Sequence, residues 1–222
     1  MAELLVSELF YSLQGESTRA GLPCFFIRLA GCNLRCNYCD ASYTYEESGT
    51  AMNLAAILAA VDQQPEVMVE ITGGEPLLQA DCLPLIQALL DQGRPVLIET
   101  NGSVVIDQVP AAAVVILDIK CPGSGSEGSF AHQNLELIRS RSNAQPDSIE
   151  IKFVLSGPDD YIWARDFVRR NLANCSAPVL FSPVTDRFSP GDLAALIMND
   201  RLPVRLQLQL HTLLWPGTRR GV

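Results

Sequence analysis

Three cysteines lie close together in the stretch GCNLRCNYCD, residues 31–40. Three residues separate Cys32 from Cys36, and two separate Cys36 from Cys39. A structural zinc site usually takes four ligands, commonly as two pairs. The chain has no second CxxC pair, and its only histidines are His132 and His211. Zinc and unreactive structural thiols stay open as alternatives at this point.

An iron–sulfur cluster is the third interpretation of this spacing. A [4Fe–4S] cluster normally takes four thiolates, so a site with three would leave one iron open for an exogenous ligand. Cys32, Cys36 and Cys39 are the thiolates that such a cluster would take. The other cysteines are scattered along the chain and are expected in the core or at the surface: Cys24, Cys82, Cys121 and Cys175.

Short apolar runs that alternate with helical patterns surround this motif. They predict strands at 24–30, 67–72, 95–100, 114–119, 149–155, 178–182 and 204–211. Apolar residues at helical spacing predict helices around 54–61, 85–90 and 159–172, and Ser189-Pro190 predicts the start of another. Regular alternation implies parallel strands with right-handed crossovers.

The chain length limits the size of this parallel sheet. A complete (β/α)₈ barrel typically needs about 250 residues, and this chain has 222. We therefore predict an α/β fold, an incomplete TIM-like barrel of about six parallel strands with flanking helices. The sequence shows no repeat and no linker, so we expect one domain over residues 1–222.

Side-chain alternation along the predicted strands separates an apolar face from a polar one. The polar face carries Arg28, Glu70, Thr72, Glu99, Asp118, Lys120, Glu150, Lys152, Arg205, Gln207, Gln209 and His211. In a barrel these side chains point inward, where an unpaired polar group costs a few kcal/mol. We expect them to pair with one another or with a polar ligand near the C-terminal mouth. Fully paired ions, or an antiparallel sheet with one wet face, are the alternatives.

Composition excludes several classes of partner. The net charge is −9, which argues against non-specific binding to nucleic acids or anionic membranes. The N-terminal stretch lacks the pattern of a signal peptide, and no apolar run approaches the roughly 20 residues of a membrane span. An odd count of seven cysteines suggests a reducing compartment. We expect a cytoplasmic protein with no nucleic-acid or membrane partner.

The CxxxCxxC spacing, directly after the first predicted barrel strand, resembles the cluster loop of the radical S-adenosylmethionine enzymes. This resemblance implies that Cys32, Cys36 and Cys39 carry the catalytic cluster. The open iron would bind S-adenosylmethionine, whose reductive cleavage yields a 5′-deoxyadenosyl radical. Segments at the ends of later strands resemble cosubstrate contacts of that superfamily: Gly74 and Glu75 in TGGEP, Thr100 and Asn101 in ETNG, and Lys120 in DIKCP. Glu75 would receive the methionine ammonium group. Read without the resemblance, these are turns and an exposed Asp–Lys pair.

Three further stretches resemble the 7-carboxy-7-deazaguanine synthases: SELFYSLQGES at 7–17, FIRLAGCN at 26–33 and LHTLLW at 210–215. The resemblance spans essentially the whole chain. It implies conversion of 6-carboxy-5,6,7,8-tetrahydropterin to 7-carboxy-7-deazaguanine with loss of ammonia, assisted by Mg²⁺. It also implies a homodimer and a flavodoxin-like electron donor. The implied substrate contacts are Leu13, Gln14, Gly15, Glu16, Thr72 and His211. We expect Arg28 to hold the substrate carboxylate, since a guanidinium can bind it bidentately.

One position departs from the family pattern. These synthases usually place Thr or Ser, a magnesium ligand, where this chain has Ala41. A water could fill the missing place, or Asp40, Ser42 or Thr44 could supply an oxygen. We favour the water because it needs no backbone change beside the cluster.

Two other functions share parts of these motifs. A glycyl-radical activating enzyme can share FIRLxGCNLxCxYC, but it would need an open surface that admits a protein loop. An iron–sulfur electron carrier could use the cysteine loop, but it would not need GGEP or a polar barrel interior.

Overall fold

The computed structural model describes residues 3–64 and 67–222. Their strands are β1 (Glu3–Leu13), β2 (Pro23–Leu29), β3 (Thr50–Asn53), β4 (Met68–Gly73), β5 (Val96–Thr100), β6 (Val114–Asp118), β7 (Ile149–Leu155), β8 (Val179–Pro183) and β9 (Arg205–Leu206). Their α-helices are α1 (Tyr43–Glu46), α2 (Leu54–Val61), α3 (Cys82–Asp91), α4 (Asn134–Ala144), α5 (Pro158–Phe167), α6 (Pro190–Asp200) and α7 (Leu210–Leu214).

The strands form a single mixed sheet in the order β3-β1-β2-β4-β5-β6-β7-β8-β9. β2, β4, β5, β6, β7 and β8 are mutually parallel, and the two-residue β9 extends them. β1 pairs antiparallel with both β2 and β3. Within the described chain the edge strands β3 and β9 do not pair, so the barrel is open. The prediction of an incomplete barrel with about six parallel strands is confirmed.

The strand predicted over 204–211 is wrong in most of its length. Only Arg205–Leu206 pairs with β8, and Leu210–Leu214 is helical. The backbone leaves the sheet because its polar groups find partners in the segment after β1. The amides of Gln207 and Gln209 donate to Glu16, and Leu210 N donates to Gly15 O at 3.0 Å. The strands β1 and β3 and the helix α4 were not predicted from the sequence.

The predicted alternation of faces holds along the parallel strands. Their apolar side chains pack against the helices and form the core: Ile27, Leu29, Val69, Ile71, Ile98, Leu117, Ile151, Phe153 and Phe181. Helices α2 and α3 contribute Ile57, Val61, Leu85, Ile86 and Leu89 to the same core. Each such side chain contributes about 1.5–3 kcal/mol when fully buried. This apolar layer holds the strands so that their polar face points into the barrel.

Capping residues mark two ends of the predicted helices. Ser189 Oγ accepts a hydrogen bond from Asp192 N, and Pro190 occupies the first turn of α6. Gly93, two residues after α3, has φ +75°, a left-handed conformation that favours glycine. No helix in the described ranges is both long and apolar enough to cross a membrane.

Residues 14–22 join β1 to β2; residues 14–19 cross the interior of the barrel, and residues 20–22 are exposed. Gln14 Nε2 donates to Glu70 on β4. On the opposite side, Thr18 binds Glu150 on β7 through its backbone N (2.9 Å) and its hydroxyl (2.6 Å). We call residues 14–22 the inner loop. It ties β4 to β7 and fills the lower part of the barrel with bonded polar groups.

Candidate active site

A cavity of about 600 Å³ opens at the C-terminal ends of the parallel strands. Its walls come from the inward face: Arg28 on β2, Glu70 and Thr72 on β4, Glu99 on β5, Asp118 on β6 and Lys152 on β7. This is the face that alternation in the sequence predicts to be polar. The volume lies within the usual range of about 300–1,000 Å³ for sites that bind small molecules.

The cysteine loop after β2 forms part of the cavity mouth. Cys32, Cys36 and Cys39 all line the cavity and are half-buried. Backbone bonds hold the loop on both sides, since Gly31 N donates to Thr44 O at 2.6 Å and Asn37 N donates to Ser124 O at 3.0 Å. The thiols are therefore presented to the cavity by a loop that is fixed at its base.

The remaining cysteines lie away from this mouth. Cys24, Cys82 and Cys121 are fully buried, and Cys175 is half-buried beside Ser142 Oγ at 3.3 Å. No fourth cysteine lines the cavity in residues 3–64 and 67–222. Over the same ranges, no three His, Cys, Asp or Glu side chains are placed to hold a single metal ion. A three-thiolate cluster does not need such convergence, because each thiolate binds a different iron. The donor set fits a [4Fe–4S] cluster with one open iron.

Two glycines let the end of β4 pack directly on the cysteine loop. A Cβ on Gly74 would lie 2.0 Å from Gly31 O and 2.7 Å from Cys32 Cβ. Gly73 has φ +139°, and a Cβ there would lie 2.2 Å from Leu29 O. Glu75 N donates to Gly31 O at 2.9 Å. Only glycine allows this approach, so TGGEP positions the cysteine loop, with Gly74 at the cavity wall.

The structure does not support Glu75 as a direct cosubstrate contact. Its side chain is fully buried and does not line the cavity. Its carboxylate accepts hydrogen bonds from Leu77 N, Thr100 Oγ1 and Asn101 N. Burial raises the pKa of Glu75, and these donors act in the opposite direction. Through these hydrogen bonds Glu75 links the end of β4 to the end of β5.

The other predicted cosubstrate residues line the cavity as expected: Thr100, Asn101 and Lys120. Asn101 Nδ2 lies 3.8 Å from Cys32 Sγ and donates to Asn33 Oδ1 at 3.2 Å. Lys120 Nζ donates to Asp118 Oδ2 at 2.9 Å. Burial alone would lower the pKa of Lys120, but the neighbouring Asp118 and Cys36 raise it overall. This wall therefore carries an amide and a charged ammonium group beside the thiols.

Arg28 is held in place by a glutamate that the sequence did not single out. Arg28 Nε donates to Glu8 Oε1 at 2.8 Å, and Tyr43 OH donates to the same oxygen at 2.6 Å. Glu8 stands opposite Arg28 in the β1–β2 register. The terminal nitrogens of Arg28 make no hydrogen bond within the described part of the chain. Its guanidinium is thus oriented, with the four N–H donors of its two terminal nitrogens left for a ligand.

Lys152 is the centre of a buried ion cluster. Its Nζ lies 2.9 Å from Glu16 Oε2 and 3.3 Å from Asp118 Oδ2, and it also pairs with Glu99. Burial would lower the pKa of Lys152, but the three carboxylates raise it well above its ordinary value. Burial would raise the pKa of Asp118, yet Lys120 and Lys152 lower it overall. We call Lys152, Glu16, Glu99 and Asp118 the lysine cluster.

The predicted substrate residues of the inner loop and α7 meet at one side of the cavity. Leu13, Gln14, Gly15, Glu16 and His211 all line it. A Cβ on Gly15 would lie 3.0 Å from His211 Nδ1, so a larger residue would push the imidazole back by a few tenths of an ångström. Both ends of the Gln14 amide are used inside the protein, because Nε2 donates to Glu70 and Oε1 accepts from Glu16 N at 2.9 Å. One Nε2 hydrogen and one Oε1 lone pair remain, so the expectation that this amide pairs with a substrate ring stays a prediction.

The three candidate magnesium ligands differ in position. Asp40 and Thr44 line the cavity, as does the buried Ala41. Ser42 does not line it, and its Oγ accepts a hydrogen bond from Arg219 at 2.9 Å. A hydroxyl that already binds a guanidinium is a poor cation ligand, so Ser42 is set aside. Thr44 Oγ1 donates to Ala41 O at 2.8 Å and keeps its lone pairs free.

Several residues of this site were not identified as site residues from the sequence. Alternation placed Glu70, Glu99 and Lys152 on the inward face, but their mutual contacts depend on the sheet order β4-β5-β6-β7. Glu8 carried no local signal, and only the β1–β2 pairing places it beside Arg28. Residues 215–219 also line the mouth, where the tryptophan of LHTLLW was the only sequence cue.

Comparison with known proteins agrees with this site. The sequence profile of the Radical SAM superfamily matches residues 26–119. A 7-carboxy-7-deazaguanine synthase of Chlorobaculum tepidum is 43% identical over 100% of this chain and 98% of its own length. A synthase of the same name from Koribacter versatilis is 41% identical over 98% of this chain and 99% of its own.

A solved structure shows the same architecture. The crystal structure of QueE from Escherichia coli superposes with a TM-score of 0.74 at 25% identity, covering 94% of this chain and 95% of that one. Full-length similarity at this level, together with a cysteine loop at the mouth of an open parallel barrel, establishes the family. The chain belongs to the 7-carboxy-7-deazaguanine synthases of the radical SAM superfamily.

Proposed function

We propose that this chain converts 6-carboxy-5,6,7,8-tetrahydropterin to 7-carboxy-7-deazaguanine with loss of ammonia, in 7-deazapurine biosynthesis of the queuosine type. The observation that carries the proposal is a single cavity that combines three half-buried thiols with a free arginine fork. The thiols suit a [4Fe–4S] cluster, and the fork suits the carboxylate of the substrate.

Cys32, Cys36 and Cys39 would hold the cluster, and Gly74, Thr100, Asn101 and Lys120 surround the space for S-adenosylmethionine. When bound, the cluster and cosubstrate would supply the radical chemistry that takes a hydrogen atom from C6 of the substrate. The protein keeps this site polar and fixed through the Gly73-Gly74 contact and the Asp118–Lys120 pair. A reactive radical needs such a site to reach one hydrogen only.

The substrate would lie between Arg28 and the lysine cluster. The terminal nitrogens of Arg28 can bind its carboxylate bidentately. Thr72 donates to Glu99 Oε2 at 3.1 Å, which places a carboxylate and the Lys152 ammonium side by side on the wall. The Glu99 carboxylate can accept hydrogen bonds from the N–H groups of the ring, and Lys152, whose pKa is raised well above its ordinary value, stays charged beside it.

The remaining expectations on cofactors and partners are kept as parts of the proposal. Mg²⁺ would bind the substrate carboxylate, with Asp40 or Thr44 and water as the protein-side oxygens. A flavodoxin-like protein would supply the electron, and the chain would act as a homodimer in the cytoplasm. Residues 215–219 narrow the mouth, which favours a small substrate over the protein loop that a glycyl-radical activating enzyme would admit.

A turnover assay tests the function. Anaerobically reconstituted enzyme, given S-adenosylmethionine, a reductant and the carboxypterin, should form 7-carboxy-7-deazaguanine and ammonia. Cys39→Ala should abolish product formation, whereas the matched control Cys175→Ala, away from the cavity, should retain it. Release of 5′-deoxyadenosine without product would favour another radical enzyme. Absence of both in a cluster-loaded protein would favour an electron carrier.

A further inference from the structure

Glu70 is a buried carboxyl group at the floor of the cavity that the proposed chemistry does not yet use. It lies on β4, is 3% exposed and lines the cavity. In the pairing of β2 with β4, Phe26 stands opposite Glu70 and Arg28 stands opposite Thr72. Glu70 is therefore two residues deeper than the Arg28 level, which is about 6.6 Å along the strand.

The orientation of this carboxyl group is fixed by one neighbour. Gln14 Nε2 donates to Glu70 Oε2, and Gln14 Oε1 is itself held by Glu16 N. Glu70 Oε1 has no hydrogen-bond partner among residues 3–64 and 67–222. Buried acceptors are rarely left unpaired in folded proteins. Because Glu70 lines the cavity, a ligand can supply the missing donor.

The surroundings of Glu70 favour a ligand that brings hydrogen-bond donors and no negative charge. Burial raises the pKa of Glu70, the nearby Glu99 and Glu16 raise it further, and Lys152 and Arg28 oppose this effect. Hydrogen bonds donated to a carboxylate stabilise its charged form. The floor of the cavity therefore carries mainly hydrogen-bond acceptors. Arg28, nearer the mouth, offers hydrogen-bond donors to a carboxylate.

We propose that Glu70 is a specificity-determining residue that accepts hydrogen bonds from the N–H and exocyclic amino groups of a 2-amino-4-oxopyrimidine ring. The inference rests on the proposed function, since it names the residue that would bind the ring edge of that substrate opposite its carboxylate. A fused bicyclic acid would then bind with its carboxylate at Arg28 and its amino-substituted edge at Glu70. This orientation keeps the carboxylate-bearing carbon near the thiols at the mouth.

The variant Glu70→Gln makes this assignment testable. Gln14 Nε2 is a donor, so it will hold the oxygen of the new amide at the place of Oε2. The new NH₂ group then replaces Oε1 and faces the cavity as a donor. It would oppose the amino edge of the carboxypterin but pair with the 2-oxo group of the analogue that carries oxygen in place of the amino group.

The experiment compares the affinities of cluster-loaded enzyme for these two ligands by anaerobic calorimetry. The wild type should prefer the 2-amino compound by at least about fivefold, because the 2-oxo analogue leaves a buried acceptor of Glu70 without a donor. Glu70→Gln should reduce or reverse this ratio. Glu150→Gln is the matched control, since Glu150 is also a buried inward carboxyl, bonded to Thr18 and Arg19 outside the cavity lining. Its ratio should equal that of the wild type.

The outcomes separate this inference from the proposed function. A wild type that binds both ligands equally overturns the assignment without any variant, and so does a Glu70→Gln enzyme with the wild-type ratio. If the wild type fails to convert the carboxypterin at all, the proposed function fails first. If the wild type converts the carboxypterin but Glu70→Gln keeps the wild-type ratio of the two affinities, only the role of Glu70 is refuted.

Discussion

At the residue scale, Arg28 shows how a single side chain is divided between structure and binding. Its Nε is bonded to Glu8, which Tyr43 also holds, while its terminal nitrogens face the cavity without a partner among the described residues. A guanidinium can serve both sides at once because its five donors lie in one rigid plane. A lysine ammonium, as a compact point charge, cannot copy this arrangement.

Arg28→Lys should therefore weaken binding of the carboxypterin by at least about tenfold. Charge-assisted hydrogen bonds contribute about 1.5–3 kcal/mol, and a factor of ten corresponds to about 1.4 kcal/mol. Cleavage of S-adenosylmethionine without substrate should survive, because Arg28 does not contact the cysteine loop by any hydrogen bond recorded for the described residues. Calorimetry and a 5′-deoxyadenosine assay measure the two effects.

Arg94→Lys is the control for this variant, since Arg94 pairs with Asp62 outside the cavity lining. It should bind the carboxypterin like the wild type. An Arg28→Lys enzyme with unchanged affinity would show that another group holds the acid.

The residue scale also shows what the sequence could reveal. The cysteine spacing and the inward position of Arg28 follow from local patterns, and the structure places all four side chains on one cavity. The roles of Glu8 and Gln14 do not, because their partners are 20 and 56 residues away in the chain. The expected role of Glu75 stays a prediction, because the pattern shows a carboxylate after two glycines and cannot show that Thr100 and Asn101 already bond it.

At the element scale, the junction between β4 and the cysteine loop is the closest backbone contact in the site. A Cβ on Gly74 would meet Gly31 O at 2.0 Å, and neither backbone can move without shifting Cys32. The sheet fixes β4 against β2, so the cysteine loop must move instead. The glycine pair thus couples strand pairing to the placement of the thiols.

Gly74→Ala should accordingly impair both stability and cluster loading. Overpacking typically costs about 1–3 kcal/mol, which for a chain of this size lowers Tm by roughly 2–12 °C. Iron bound per chain after anaerobic reconstitution should fall below the wild-type value. Gly128→Ala is the control, because a Cβ there meets nothing within 4 Å. Full iron content in Gly74→Ala would show that the loop adapts without the glycine.

Element prediction succeeded where local pattern and sheet position agree. The parallel strands β2 and β4 to β8 were predicted from short runs whose apolar residues pack against the helices. The segment after β9 alternates just as cleanly, but Gln207 and Gln209 use their amides to bind Glu16 in the inner loop. This tertiary contact outweighs the local strand pattern, and no feature of the neighbouring sequence indicates the contact.

At the scale of the whole molecule, the barrel interior is held by charge pairing instead of an apolar core. The lysine cluster joins the inner loop, β5, β6 and β7 through one ammonium group. Lys152 is 3% exposed, so its three carboxylate partners share a cation that water screens little. This cluster combines both outcomes expected from the sequence, since its polar groups pair mutually and also line the cavity.

Lys152→Met should destabilise the whole barrel, because the substitution leaves Glu16, Glu99 and Asp118 near one another without their common cation. Removal of one partner from a buried ion pair typically costs about 3–5 kcal/mol. For a chain of this size the corresponding fall in Tm is roughly 6–20 °C. Anaerobic calorimetry of the cluster-loaded protein measures it.

The fall in Tm caused by Lys152→Met should also depend on pH in a defined direction. Lys120 and Lys152 together hold the pKa of Asp118 down, so the wild type gains stability from these pairs above the ordinary carboxyl range and loses it as the pH falls through the lowered pKa. Lys152→Met keeps the contribution of Lys120 and lacks that of Lys152. The Tm difference between the two proteins should therefore be widest near neutral pH and narrow as the carboxylates become protonated in acid. Arg165→Met, which removes a cation from the exposed pairs with Asp166 and Asp200, should show no comparable fall at any pH. A Lys152→Met protein as stable as the wild type at neutral pH would mean that the inner loop closes the barrel without the lysine cluster.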